Sequence, residues 1–149
     1  METENVNLQL AVRNAMRARI IQAQIVSADR IQLPNVAFHI PSEGIWIRES
    51  VNEGSEEVRS NVSAREFAVV NYEVFGKVGR GADAVDEAVE SIRTALPLLG
   101  ENSVVYSEGG QFAVIRSIDK PAGGIDNGQP TWYRRLIAYT VELYLAAPE

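Results

Sequence analysis

The residues whose types could do chemistry form a short list. His39 is the one histidine, set between Phe38 and Ile40 in a short extended run. Gly76-Lys-Val-Gly-Arg-Gly81 follows a strand-like stretch and precedes a helix-like one, the order in which many phosphate-binding sites begin. Glu56/Glu57 and Asp86/Glu87 are neighbouring carboxylates, and Arg134/Arg135 are neighbouring guanidinium groups. There is no cysteine, which excludes disulfides, thiolate metal sites and a cysteine nucleophile together.

The glycine-spaced segment has neither the GxxxxGK[ST] order of a P-loop nor the GxGxxG order of a dinucleotide turn. The helix it opens begins with Asp83, Asp86 and Glu87, followed by Glu90. Those carboxylates already complement the positive end of the helix dipole and would repel a phosphate there. Lys77 and Arg80 offset them only in part, so the segment reads as a flexible turn. A metal site at His39 would need carboxylates for most of its ligands, and no HxxE or HExxH spacing exists. A Ser-His-Asp triad stays open in principle, although no serine sits in a Gly-x-Ser-x-Gly elbow. Neighbours on a helix point roughly 100° apart, and neighbours on a strand point to opposite faces. Neither Asp86/Glu87 nor Arg134/Arg135 therefore forms a joint site. Glu56 and Glu57 read as a solvated polar stretch or an interaction patch. No catalytic residue, cofactor-binding residue or metal ligand is assigned, and the chain reads as a non-enzyme without a cofactor.

The whole chain bounds its partners. Its 149 residues make one domain, 1–149. The net charge of −6, from 14 basic and 20 acidic residues, argues against an electrostatic grip on nucleic acid. Lys77 and Lys120 are the only lysines, so twelve of the 14 basic groups are arginines, suited to planar ion pairs. The acidic start, Met-Glu-Thr-Glu-Asn, and the lack of any apolar run near ~18 residues predict neither signal peptide nor membrane span.

The elements that must position these residues follow from periodicity. From Asn5 to about Ile25, residues Leu8, Ala11, Val12, Ala15, Met16, Ile20 and Ala23 share a helical face. Arg13 and Arg17 lie off it, Arg19 falls within it, and Leu10 and Ile21 lie outside it, as on a helix that touches more than its own core. Leu33-Pro34 is expected to end this helix. Ile45–Val51 alternates, with Ile45, Ile47 and Val51 on one side and Trp46 and Arg48 on the other. Asn52–Ala64 is polar and without period, read as a long loop or hairpin tip. Glu66–Phe75 is a strand apolar on both faces, which calls for something to cover the second face. Asp83–Leu96 is a sharply amphipathic helix, with Asp83 as candidate N-cap and Pro97 as its stop. Val104–Ser107 and Gln111–Ile118 flank a turn at Glu108-Gly-Gly110. After a second loop at about 119–131, Trp132–Leu145 is a long strand on whose apolar side Arg135 must sit near an end or pair with an acid. The expected fold is α+β, a mainly antiparallel sheet of four to five strands with two helices packed on one face.

A short N-terminal helix, LPNVAFHIP leading into Ile45–Val51, and a polar stretch open the chain. A strand ending Tyr72-Glu-Val-Phe75, a Gly-rich turn into an acidic amphipathic helix, and a C-terminal strand WYRRLIAYTVEL complete it. Over nearly the whole chain this order resembles the tail-terminator family of long-tailed bacteriophages, also called tail-completion or minor tail protein U-like proteins. The resemblance implies a structural virion protein that forms a ring, commonly a hexamer, on the head-proximal end of the tail tube. Its implied partners are further copies of itself, the tail tube protein and the head–tail connector, with DNA passing through the lumen unread. The implied location is the virion, after assembly in the host cytoplasm, with no membrane contact. A head–tail connector of similar design is the nearest alternative, and a small α+β enzyme or ligand-binding domain the more distant one. The expected interface residues are Glu53, Glu56, Glu57 and Arg59 towards tube or connector, and Trp46, Arg48, Trp132 and Arg134 for ring packing.

Overall fold

The computed structural model describes residues 8–34, 36–60, 63–77, 81–121, 123–125 and 132–146. Helix α1 (Leu8–Gln22) buries Leu8, Val12, Met16 and Ile20, one residue per turn. It ends before Ile25, and the proline is not what ends it. Gln24 turns left-handed at φ 60°, its N–H donates to the Ile21 carbonyl, and the Ile25 N–H reaches back to Ile20. This is a Schellman closure with glutamine where glycine is usual. Ala23, expected on the buried face, is left exposed beyond it. Arg19, the charge inside the apolar stripe, donates to the carbonyls of Asn102 and Val104 (2.8 Å to the latter), so its burial is compensated by main-chain acceptors.

The sheet comprises β1 (Ile31–Gln32), β2 (Trp46–Ser60), β3 (Ser63–Lys77), β4 (Val104–Glu108), β5 (Gln111–Asp119), β6 (Gly124–Ile125) and β7 (Trp132–Ala146). The order is β1-β2-β3-β7-β5-β4, with β6 also paired to β7, and every pairing is antiparallel except β1 with β2. The fold is α+β as expected. The strand count exceeds four to five because β1 and β6 are two-residue strands that no periodicity announces.

The polar stretch 52–64 is a hairpin and not a loop. β2 runs on through Ser60, β3 resumes at Ser63, and the pairing shifts register between Glu53/Glu56 and between Val58/Ser60. Main-chain pairing needs no apolar alternation when the neighbouring strand is itself held. Here β3 pairs with β7 from Ser63↔Ala146 to Lys77↔Trp132. The second expected loop is interrupted by β6, which pairs Gly124 with Arg134 and Ile125 with Tyr133; residues 122 and 126–131 lie outside those described.

Helix α2 (Gly81–Ala95) buries Val85, Ala88, Val89 and Ile92, and Leu96 follows them into the core before Pro97. The helix begins two residues before Asp83, which therefore lies in its first turn and is not the N-cap. The expected glycine loop is shorter than drawn: Gly76 belongs to β3, Gly81 to α2, and only 78–80 separate Lys77 from the helix, outside the described residues. Both helices meet one face of the sheet over Val70, Tyr72, Val74, Ile137, Tyr139 and Val141. The β4–β5 turn holds Gly109 at φ 63° and Gly110 at φ 80°, the left-handed pair that a two-residue hairpin of this twist requires.

Candidate assembly surfaces

On the helix-free face, the start of β2 builds an aromatic block. Trp46 and Phe75 are register partners, and their rings stack at 4.1 Å and 9°. Trp132 meets Trp46 edge-on at 6.0 Å, and Phe38 closes over it at 5.5 Å. The Arg48 guanidinium lies 5.0 Å from the Phe75 ring and 5.7 Å from Trp46. Arg48 also donates to Gln32 (3.1 Å) and stands 3.8 Å from Glu73, whose other oxygen accepts from Arg134 at 2.6 Å. Two guanidinium groups thus share one carboxylate across β2, β3 and β7. Arg134 and Glu73 border a shallow groove of about 490 Å³ with Ser50, Asn71, Leu136, Pro121, Gly123 and Gly124.

All four residues expected at the ring contact share this face, but the tryptophans do not present themselves. Trp46 is 0% and Trp132 7% exposed, covered by the chain's own Phe75 and Phe38. They back the face from within, while Arg48 is half-buried and Arg134 exposed on it. The covering for the second face of β3 thus exists at this end, supplied by the apolar run around Phe38. Further along, Phe67 and Val69 of β3 and Leu136 and Ala138 of β7 stay half-buried, on the side away from both helices. At the far end Phe112 stacks on Tyr144 at 4.3 Å. Arg116 donates there to Glu142 (3.1 Å) and to the Tyr144 hydroxyl (2.7 Å).

The two edges of the sheet differ. At β4 the Val104 carbonyl is taken by Arg19, as described above. β1 pairs with β2 only at Ile47 and Arg48. From Glu49 to Ser60 the outer edge of β2 has no strand partner among the described residues, a row of open main-chain groups. Glu53, Glu56, Glu57 and Arg59 lie along this edge strand, Glu53 opposite Ala68, Glu56 opposite Glu66 and Glu57 opposite Arg65. Their side chains lie outside those described.

Beneath α1 sits a charge pair that the periodicity did not reveal. Glu49 is 1% exposed, and Arg17 grips it with two hydrogen bonds of 2.9 and 2.7 Å. That hydrogen bonding holds the Arg17 guanidinium above its ordinary value. Opposite Glu49 in register is Tyr72, a phenol pushed well up first by burial and then by the Glu49 charge. The available signal was that Ile47 and Val51 flank position 49 on the apolar face. Arg135 pairs with an acid, as expected: it donates to Asp86 of α2 at 3.2 Å, and Tyr133 approaches the same oxygen at 3.5 Å. Asp86 faces the sheet while Glu87 is exposed, so this neighbouring pair is split as helix geometry requires. His39 is exposed, and among the described residues no cluster of three metal-ligating side chains occurs.

Neither a family model nor a curated protein matches the sequence. Among the solved structures 15 chains match, one of them with a TM-score of 0.61 at 16% identity over 92% of this chain and 98% of that one; its name states no function. A likeness at that identity shows a shared fold, and function has to be argued from surfaces.

Proposed function

We propose that this chain is a structural subunit that assembles with copies of itself, as the resemblance to phage tail-terminator proteins implies. In that role it forms a ring, commonly of six subunits, on the head-proximal end of a tail tube. The ring ends tube polymerisation and gives the head connector a surface. The observation that carries the reading is the sheet's unequal finish. Its helical face is a closed core, whereas among the described residues the β2 edge from Glu49 to Ser60 has no strand partner and Phe67, Val69, Leu136 and Ala138 on the opposite face are only half-buried. Open edges and half-buried apolar faces are what a second chain completes. A formal charge of −6 also suits a channel through which DNA slides without being held.

Size-exclusion chromatography with light scattering over a concentration series, with and without purified tail tubes, tests this. The expected result is a closed multiple of the 16.4 kDa subunit, free or on tubes. A chain that stays monomeric and does not join tubes refutes the reading. Replacing Glu53, Glu56, Glu57 and Arg59 together with Ala is expected to keep the fold and weaken docking. Undiminished docking would remove the β2 arm from that interface.

A further inference from the structure

At the end of α1 the chain builds a depression of about 580 Å³ that it does not fill. Ile21, Ile25, Val26 and Ile45 line it, and Arg30 stands at its rim. Its walls are held in unusual backbone: Gln24 at φ 60° and Gly44 at φ 83° both bound it. The Arg30 guanidinium packs against Gly44 so closely that a Cβ there would meet its Nη1 at 2.9 Å. It donates to the carbonyls of Glu43 (2.8 Å) and Ile45 (3.3 Å), and among the described residues it has no carboxylate partner.

Elsewhere on the same chain stands an apolar projection. Leu98 is 42% and Leu99 82% exposed, between the helix-stopping Pro97 and Gly100 at φ 87°. The corner is held, because the Ser103 amide and hydroxyl both donate to the Gly100 carbonyl, at 3.1 and 2.7 Å. Glu101, beside it, is exposed and has no ion-pair partner among the described residues.

We infer that Leu98 and Leu99 of one copy seat in the Ile21/Ile25/Ile45 depression of another, with Glu101 reaching Arg30 at the rim. Among the described residues, the projection is apolar and flanked by a carboxylate with no ion-pair partner, and the hollow is apolar and lined by a guanidinium with no acid. Each supplies what the other lacks, in apolar surface and in charge. Two different patches of one chain that fit each other make a head-to-tail contact, the kind from which rings close. The inference deepens the self-assembly reading and rests on it. It also gives Ile21, which lies off the core stripe of α1, a contact of its own.

The cysteine-free chain makes the test direct. One preparation carries Ser27→Cys at the hollow and a second carries Asn102→Cys beside the projection, which leaves Glu101 in place. The two are mixed under mild oxidation and resolved by non-reducing mass spectrometry. The mixed disulfide dimer is expected to exceed either homodimer at least tenfold. Adding Leu99→Asp to the Asn102→Cys chain is expected to abolish that excess, with Leu99→Ser as a milder variant and circular dichroism to confirm the fold. A mixed yield no more than about twice either homodimer, the ratio of random pairing, or a larger excess that survives Leu99→Asp, overturns the inference. If light scattering shows closed assemblies while no mixed excess forms, this contact is wrong and the ring reading stands. A chain monomeric both free and on tubes overturns both.

Discussion

Replacing Arg17 with methionine removes the charge that holds Glu49 beneath α1 and leaves most of the aliphatic packing in place. The Glu49 side chain is 0% exposed, whereas that of Arg17 is 20% exposed, so the two partners are not equivalent. Without Arg17 the carboxylate stays in a pocket walled by the helix and Tyr72, where water cannot replace two hydrogen bonds of 2.9 and 2.7 Å. Breaking a buried pair from one side costs about 3–5 kcal/mol. For a chain of this length that corresponds to a thermal midpoint lowered by roughly 6–20 °C. Glu49→Leu is expected to cost less, since the stranded Arg17 can reach solvent. The double variant Arg17→Met/Glu49→Leu is expected within about 2 kcal/mol of the parent or above it, because a well-packed apolar pair needs no desolvation of charge. Urea unfolding followed by far-ultraviolet circular dichroism, with slopes unchanged, measures all four proteins. The reasoning is refuted if Arg17→Met loses less than about 1 kcal/mol, or if the double variant equals the sum of the singles.

Three further outcomes follow from particular contacts. Both tryptophans are buried by their own chain, so their emission is expected to be blue-shifted and insensitive to iodide in the dilute protein; efficient quenching would return Trp46 or Trp132 to the surface. The Glu90 carboxyl is drawn down to about 2 by the hydrogen bond from Lys120 and then by that from Arg93. A depressed carboxyl stabilises the fold above its ordinary value of 4.5, and that contribution fades as pH falls from there through about 2. A carboxyl-detected NMR titration should find the low midpoint, and Lys120→Ala should raise it; an ordinary midpoint in the parent refutes the contact. Gly110→Ala forces a side chain into a left-handed turn residue and is expected to cost about 1–2 kcal/mol by chemical denaturation, whereas no measurable loss would refute the turn geometry.

Much of the fold was legible because it depends on local periodicity. The α2 stripe Val85, Ala88, Val89 and Ile92 needs only a helical repeat and a proline stop, and those residues are buried. The alternation of Glu66–Phe75 and of the C-terminal strand likewise placed their faces, and the Gly109-Gly110 pair placed a hairpin. What differed turns on details that periodicity does not carry. The end of α1 turned on Gln24 accepting a conformation that composition assigns to glycine. Core packing and a subunit contact were both open for the tryptophans, and their burial rests on Phe38, which covers Trp46 from a run without any period.

By itself the sequence determined the α+β class, the second helix, the long two-faced strands and the lack of any thiol chemistry, since these follow from residue type and spacing within a few turns. Only the tertiary structure decided that polar residues 52–60 continue β2, because their strand is held by β3, and β3 by β7. It also decided that Glu49 is buried against Arg17 and that an unfilled hollow coexists with an exposed Leu99. Those outcomes are set by which elements meet across the sheet, and pairing between elements far apart in the chain leaves no mark on the local pattern of either.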